Sequence, residues 1–383
     1  MTYLIKSPLK RRIVSFLDKV GEFFSDGKNQ NFSGTINSVL LIRLDHLGDV
    51  LLTTPAITSL RQRFPQARIV MLIKEWSFEA IQNNPHIDNI IIFNPSWTIA
   101  KSEGTKTDGV VGIYRLIRQL RKERFDLAID FKGDLRNILI AFLSGARRRI
   151  GYGIRGGGYL LTDVVPYEGE THEIDKNLKL LNPLGINPED GKMELYCKDE
   201  DVAKIEQIFD QKGIDLDHPI IGLHYGGASQ FKCWDMEKFI DLSERLTKEN
   251  SINVLIFGGP YERKASQFEE KPGKGVFLMP HMTICQMAAA LKKCCLLVCN
   301  DSGPMHVGIA VGTPVVAIFG PTFADRFGPK DLEKNRLVHS LLSCSPCWHP
   351  DKAIGCVKRD CFHSIEVETV LATVNELSDG TSR

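Results

Sequence analysis

Two doubly wound α/β domains in tandem are what this sequence predicts, and three observations carry the expectation. Short, near-continuous apolar runs alternate with amphipathic segments at helical spacing, the pattern of parallel strands covered on both faces by helices. The alternation occurs twice, over residues 37–131 and again over 220–319, with a polar stretch near 185–217 between the two series. The chain has 383 residues, and single cores stop growing near roughly 250–300 residues. Two domains are therefore expected, at 35–190 and 210–340, flanked by an N-terminal segment 1–34 and a Cys-rich segment with a closing helix, 341–383.

The first series opens with a strand over 38–44, a helix over 49–64 with Val50, Ile57, Leu60 and Phe64 on one face, and a strand over 68–73. A strand at 89–93, a helix at 112–124 and a strand at 125–131 continue it. In the second series the strands are 220–224, 253–257, 296–299 and 314–319, with helices near 235–249, 283–293 and 304–311. Repeated units of this kind place a ligand cleft at the carboxyl ends of the sheets. Ahead of both series, Leu9, Ile13, Phe16, Leu17, Val20 and Phe24 recur at helical spacing among Lys6, Lys10, Arg11, Arg12 and Lys19. Two readings of this basic helix stand side by side: it lies on an anionic inner-membrane surface, or it docks on the body of the protein.

Charge is balanced, 48 Lys+Arg against 47 Asp+Glu, so no global field points to nucleic acid and any anion must be bound locally. No apolar run reaches the roughly 18–20 residues of a spanning helix, and the charged N-terminus lacks a signal-peptide core. Cys294, Cys295 and Cys299 sit in apolar surroundings, as reduced thiols do. A cytoplasmic protein, peripheral to the inner face of the membrane if the helix lies there, is expected.

The chemistry lies in three strand-to-helix turns. Asn300-Asp-Ser-Gly-Pro-Met-His306 joins an apolar strand to a helix start. There Asp301 or Ser302 can cap, Gly303 lets the backbone approach a ligand, and Pro304 suits the first helical position. The unpaired N–H groups and positive dipole end then face an anion. Leu44-Asp-His-Leu-Gly-Asp-Val50 puts Gly48 and Asp49 at such a junction, and His224-Tyr-Gly-Gly-Ala-Ser-Gln-Phe-Lys232 puts Gly226, Gly227, Ser229 and Lys232 at another. Taken singly, Asp49 would read as a helix cap and Lys232 as a solvated lysine. Neither junction carries G-x-G-x-x-G or G-x-x-x-x-G-K-[ST], so dinucleotide and P-loop chemistry are poorly supported.

The ordered set Ile42-Arg-Leu-Asp-His-Leu-Gly-Asp-Val-Leu-Leu-Thr-Thr-Pro-Ala56, Lys232-Cys-Trp234, Phe257-Gly-Gly-Pro-Tyr-Glu262, Asn300 to His306 and Ala317-Ile-Phe-Gly-Pro-Thr322 resembles the bacterial lipopolysaccharide heptosyltransferases, glycosyltransferase family 9. The resemblance covers about residues 37–330. It implies a GT-B architecture, two Rossmann-like domains facing a central cleft, with an ADP-sugar donor held by the second and a glycolipid acceptor by the first. It makes Asp49 the catalytic base and Lys232 the lysine on the donor diphosphate. Glu262 falls where the family binds ribose, Met282 beside adenine, and Asp301, Ser302, Gly303 and His306 on the phosphate-and-sugar loop, with Gly226, Gly227 and Ser229 alongside. Arg43 and Gly48 fall on the acceptor side. The chain departs from the family pattern at Gly227, Ala228 and Ser229, where threonines are frequent, and at Ser302-Gly-Pro304; both departures bear on the donor sugar.

The residues support the same reaction on physical grounds. Glycosyl transfer needs a base for the acceptor proton and cations or N–H groups for the departing diphosphate. Asp49 supplies the first, and Lys232 with the Ser302–Gly303 helix start the second. No metal cofactor is then required, and no Asp-x-Asp pair is placed to hold one against the diphosphate. A single base acting in one displacement inverts the anomeric centre. The expected activity is transfer of heptose from ADP-heptose to a lipopolysaccharide core or related glycolipid. A nucleotide-sugar epimerase and an inactive sugar-nucleotide-binding protein are the alternatives. Separately, Cys344, Cys347, Cys356 and Cys361 form a C-x2-C-x8-C-x4-C array beside His349 and His363. It fits a structural Zn²⁺ site, free structural thiols, or pairing of Cys344 with Cys347 under oxidation.

Overall fold

The structure, a computed structural model, describes residues 34–95, 97, 107–169, 171–188, 191–227, 229–250, 252–258, 268, 271, 274–347, 356 and 358–381, with 12, 14–16, 18, 19 and 21 near the N-terminus. The chain divides into two compact units, Met1–Lys192 and Met193–Arg383.

Unit 1 runs β1 (Ser38–Arg43), α1 (Leu47–Leu51), α2 (Thr54–Arg63), β2 (Arg68–Ile73), β3 (Asn89–Ile92), α3 (Val110–Glu123), β4 (Leu127–Asp130), α4 (Leu135–Leu143), β5 (Arg148–Gly151), β6 (Asp163–Val164) and α5 (Glu173–Lys179). The strands form one sheet in the order β3-β2-β1-β4-β5-β6, every pairing parallel. Val39, Leu40, Leu41 and Ile42 of the central strand are fully buried, as an apolar run must be when helices cover both faces. The single helix expected over 49–64 is two helices. Pro55 stands in the first turn of α2, where it has no N–H to give and its ring excludes the preceding turn. Thr53 Oγ1 donates to Asp49 O at 2.9 Å and Thr54 Oγ1 to Leu51 O at 2.7 Å, taking up carbonyls freed at the break.

Of the N-terminal stripe only Phe16 is described, and it is 66% exposed; Leu9, Ile13, Leu17, Val20 and Phe24 lie outside the described residues, as do Lys6, Lys10 and Arg11. The described part docks on unit 1. Asp18 is buried and accepts from Gly157 N at 2.9 Å. Gly156, at φ +92°, lies so close that a Cβ there would stand 2.4 Å from Val14 Cγ1.

Unit 2 runs α6 (Asp199–Lys212), β7 (Ile220–His224), α7 (Met236–Asn250), β8 (Asn253–Phe257), β9 (Val276–Leu278), α8 (Ile284–Leu291), β10 (Leu296–Asn300), α9 (Gly303–Val311), β11 (Val315–Phe319), α10 (Ala324–Phe327), β12 (Arg336–His339), α11 (Asp360–His363) and α12 (Val367–Thr381). Its sheet order is β12-β11-β10-β7-β8-β9, again all parallel. The polar stretch expected to divide the domains holds α6, whose Ile205 and Phe209 are buried. The Cys-rich segment and closing helix are part of this unit: Phe362, Val370, Val374 and Leu377 share one core cluster with Trp234, Phe239 and the strands. Among the described residues no helix is long and apolar enough to cross a membrane.

Candidate active site

Each sheet reverses its winding between neighbouring central strands, β1 and β4 in unit 1 and β7 and β10 in unit 2. Loops leaving the carboxyl ends of such a pair part in opposite directions and leave room for a ligand. Asp49 follows β1, and the Lys232 and Asp301 loops follow β7 and β10, so the turns singled out in the sequence stand at these two positions.

In unit 1, Asp49 is the third residue of α1. Its Oδ2 accepts from His46 N at 3.3 Å, a capping interaction, and its Oδ1 accepts from Arg43 Nη2 at 3.2 Å. The capping reading is therefore correct, and it does not exhaust the residue: the side chain remains 25% exposed. Burial raises the Asp49 carboxyl above the usual carboxylate range, Arg43 opposes the rise, and Asp45 and Glu173 add to it. A carboxylate made more basic in this way is suited to accept a proton.

Arg43, expected on the acceptor side, is buried and its guanidinium is committed within the protein. It donates to Phe131 O and to Asp49, and its Nε lies 3.3 Å from Asp45 Oδ2. Its place in the structure is to hold Asp49. Gly48 is the half-buried second residue of α1. Sequence reasoning missed four neighbours, Asp45, Lys74, Asp130 and Lys132. Asp45 pairs with Lys132 as well as Arg43; burial would raise its carboxyl, but the two cations hold it below its usual range. Asp130, fully buried, accepts from Lys132 N and Gly133 N at 3.1 and 2.8 Å and so shapes the loop that carries Lys132. Lys74, just past β2, is almost wholly buried with its Nζ 4.5 Å from the Trp76 ring centroid. Burial pushes its ammonium down to about 8, with Asp45, Lys132, Asp49 and Arg136 within electrostatic reach. Asp45 lay inside the quoted motif, whereas Lys74 and Lys132 are brought to it only by the strand order.

In unit 2, β7 and β10 are adjacent with Cys299 opposite His224, so their following loops meet. Asn300, buried at the end of β10, joins them: its Nδ2 donates to Tyr225 O at 2.8 Å and Gly226 O at 3.1 Å, and its Oδ1 accepts from Trp234 N at 2.8 Å. Gly226 and Gly227 are thereby fixed beside Asp301. Ser229 Oγ accepts from Phe231 N at 3.4 Å and starts the single turn that ends at Lys232. Lys232 Nζ stands 3.3 Å from Asp301 Oδ2. Ser302 is the N-cap of α9, whose first turn holds Gly303 and Pro304, and His306 is buried in its second. A cation and a helix start thus stand in adjoining loops, an arrangement able to meet an anion. Met282 is buried one residue before Thr283, the N-cap of α8. Glu262 lies outside the described residues.

The C-terminal segment reaches the same loop. Arg359 donates to Cys233 O and lies 3.2 Å from Asp235 Oδ1, and Trp234 Nε1 donates to Ile365 O at 3.0 Å. The segment thereby braces the turn that carries Lys232. Cys344, Cys347 and Cys356 are exposed and Cys361 is buried. Burial raises the Cys361 thiol, with Cys347, Cys356 and Cys344 adding to the rise. Among the described residues no three His, Cys, Asp or Glu side chains are gathered closely enough to hold a metal; His349 lies outside the described residues.

Comparison with known proteins adds the following. Residues 113–358, well over half of the chain, match the model of "Glycosyltransferase family 9 (heptosyltransferase)". The match takes in the whole unit 2 site and leaves Asp49 outside it. Lipopolysaccharide heptosyltransferase 3 of Escherichia coli K12 is 29% identical over 287 residues, spanning 72% of this chain and 80% of that protein. Lipopolysaccharide heptosyltransferase 2 of the same strain is 24% identical, over 83% and 92%. Among solved structures, a glycosyl transferase family 9 protein from Veillonella parvula superposes with a TM-score of 0.76 at 24% identity, covering 89% of this chain and 97% of the other. The E. coli ADP-heptose heptosyltransferase II superposes at 0.71 and 20%, covering 90% and 100%. The expected α/β class of GT-B type, two doubly wound parallel sheets, is the fold these structures share.

Proposed function

This chain belongs to glycosyltransferase family 9, and from that premise we propose that it moves a heptose from ADP-heptose onto a lipopolysaccharide core or related glycolipid acceptor, with inversion. The observation that supports this most is the chemistry standing at the two switch points, a desolvated carboxylate in unit 1 and a lysine beside a helix start in unit 2. In the reaction Asp49 takes the proton of the acceptor hydroxyl as its oxygen attacks the anomeric carbon. The bond from that carbon to the diphosphate breaks, and Lys232 with the first N–H groups of α9 stabilises the negative charge that develops. Arg43 keeps the carboxylate oriented, and Asn300 keeps the two phosphate-side loops in register. The base and the anion site supply both needs of the step from protein groups.

Mass spectrometry of reactions containing purified protein, heptose-deficient lipopolysaccharide and a panel of nucleotide sugars tests the reading. Transfer is expected from ADP-heptose. Transfer from a different nucleotide sugar alone would overturn the donor, and interconversion of the donor without acceptor would favour the epimerase alternative.

The cations gathered at the unit 1 edge give a pH expectation. An acceptor that carries negative charge would be drawn to these cations, and Lys74 is cationic only below about pH 8. As pH rises through that value the site loses positive charge, and the acceptor KM should rise roughly tenfold, the effect of about 1.4 kcal/mol. Lys74→Arg stays charged throughout and should abolish this alkaline limb, while Lys74→Gln should show the raised KM at every pH. Steady-state kinetics from pH 6.5 to 9.5 decide it; an unchanged limb in Lys74→Arg would remove Lys74 from acceptor binding.

A further inference from the structure

We infer that the outer face of α3, extended by α4, is a docking surface for an anionic bilayer. Val110, Val111 and Tyr114 at the start of α3 are 83%, 62% and 68% exposed. With 3.6 residues per turn, these three share one continuous face with Arg115, Arg118, Arg121 and Lys122, opposite the buried Leu116 and Leu120. The apolar side chains occupy the first turns and the cations the rest. Alongside, α4 presents Leu139 and Phe142, both more than 40% exposed. The two helices are tied where Arg121 Nε donates to Leu143 O at 2.9 Å. Among the described residues no carboxylate pairs with Arg115, Arg118, Arg121 or Lys122; the acidic residue of the helix, Glu123, pairs with Arg68.

Exposed apolar groups beside cations with no carboxylate partner among the described residues match one occupant best. An apolar tip can enter the acyl boundary while neighbouring Arg and Lys meet acidic headgroups. A second copy of this chain, with a net charge of +1, offers no such counter-charge. Position adds to the argument. Because α3 connects β3 to the parallel strand β4, its first turn stands at the carboxyl edge of the unit 1 sheet, the edge from which α1 and Asp49 also rise. A bilayer held against Val110, Val111 and Tyr114 lies on the side where a lipid-anchored hydroxyl must reach its base. This use of the surface rests on the proposed acceptor; the binding itself does not.

Sedimentation of the full chain with phosphatidylcholine vesicles, with and without phosphatidylglycerol, needs neither donor nor acceptor. Binding is expected only when phosphatidylglycerol is present and should weaken with added salt. Val110→Ser/Val111→Ser/Tyr114→Ser and Arg115→Gln/Arg118→Gln/Lys122→Gln should each weaken it at least tenfold, with thermal melts and activity on a soluble acceptor fragment unchanged. Equal vesicle binding by both variants, no binding by the unaltered chain, or binding lost only on deletion of residues 1–30 would overturn the inference. So would concentration-dependent self-association of the unaltered chain that either variant abolishes. Loss of vesicle binding with transfer intact, or the reverse, separates this surface from the reaction proposed above.

Discussion

Asp49→Asn is expected to lower turnover by roughly 10²–10⁴-fold, the range for loss of a general base, with the affinity for donor little changed. The substitution keeps the volume of the side chain, and an amide can still accept from either His46 N or Arg43, though not from both as the carboxylate does. Arg43 retains Asp45 and Phe131 O, so the local structure should persist and a thermal melt should fall only slightly. The wild-type enzyme should lose turnover on the acid side as Asp49 takes up a proton, at a pH above that of an ordinary aspartate because burial raises its carboxyl. Turnover near the wild-type level in Asp49→Asn would exclude this carboxylate as the base, leaving Glu173 as the next carboxylate to test.

Lys232→Ala should weaken binding of ADP by about 1.5–3 kcal/mol, the range for a charge-assisted contact, or roughly 10–150-fold in Kd. Two effects act together. The cation facing the diphosphate is lost, and Asp301, only 8% exposed and 3.3 Å from Lys232 Nζ, is left beside an anion without that compensation. The second effect predicts non-additivity: adding Asp301→Asn to Lys232→Ala should recover part of the affinity. Isothermal titration with ADP on the two single variants and the double variant measures the coupling. Unchanged affinity in Lys232→Ala would return this residue to the solvated-lysine reading.

How much of this was readable from sequence depends on whether neighbours in chain were also neighbours in space. The central strands were legible because burial on both faces demands unbroken apolar runs, as in Val39–Ile42 and Leu296–Cys299. Some outer strands were not: β5, between β4 and β6, reads Arg148-Arg-Ile-Gly151, and the edge strand β12 reads Arg336-Leu-Val-His339, too short and too polar to stand out. Asp49, Asp301 and Ser302 were found because a strand, a turn and a helix start leave a local signature. Lys132 was not, since it meets Asp45 across 87 residues and only because β4 lies beside β1. The partners of Arg43 were hidden for the same reason. Its motif position gave nearness to the acceptor side, but the burial that commits its guanidinium to Asp45, Asp49 and Phe131 is a property of the folded sheet. The break at Pro55 was visible in the sequence, and the apolar spacing across it outweighed the signal.

The brace on the lysine turn has a consequence for how the enzyme comes into being. Trp234 finds the acceptor for its indole N–H at Ile365, 131 residues later, and Arg359 reaches Cys233 from a similar distance. At about 5–20 residues/s, ribosomes need roughly 7–26 s to make that intervening chain. Unit 1 has all its strands in hand by Val164 and can fold during that interval, whereas the Lys232 turn lacks these contacts until residues 359–365 emerge. The lysine turn is thus braced only once residues 359–365 have been made, so a chain stopped before them would hold every strand of unit 1 and lack both of these contacts to the turn.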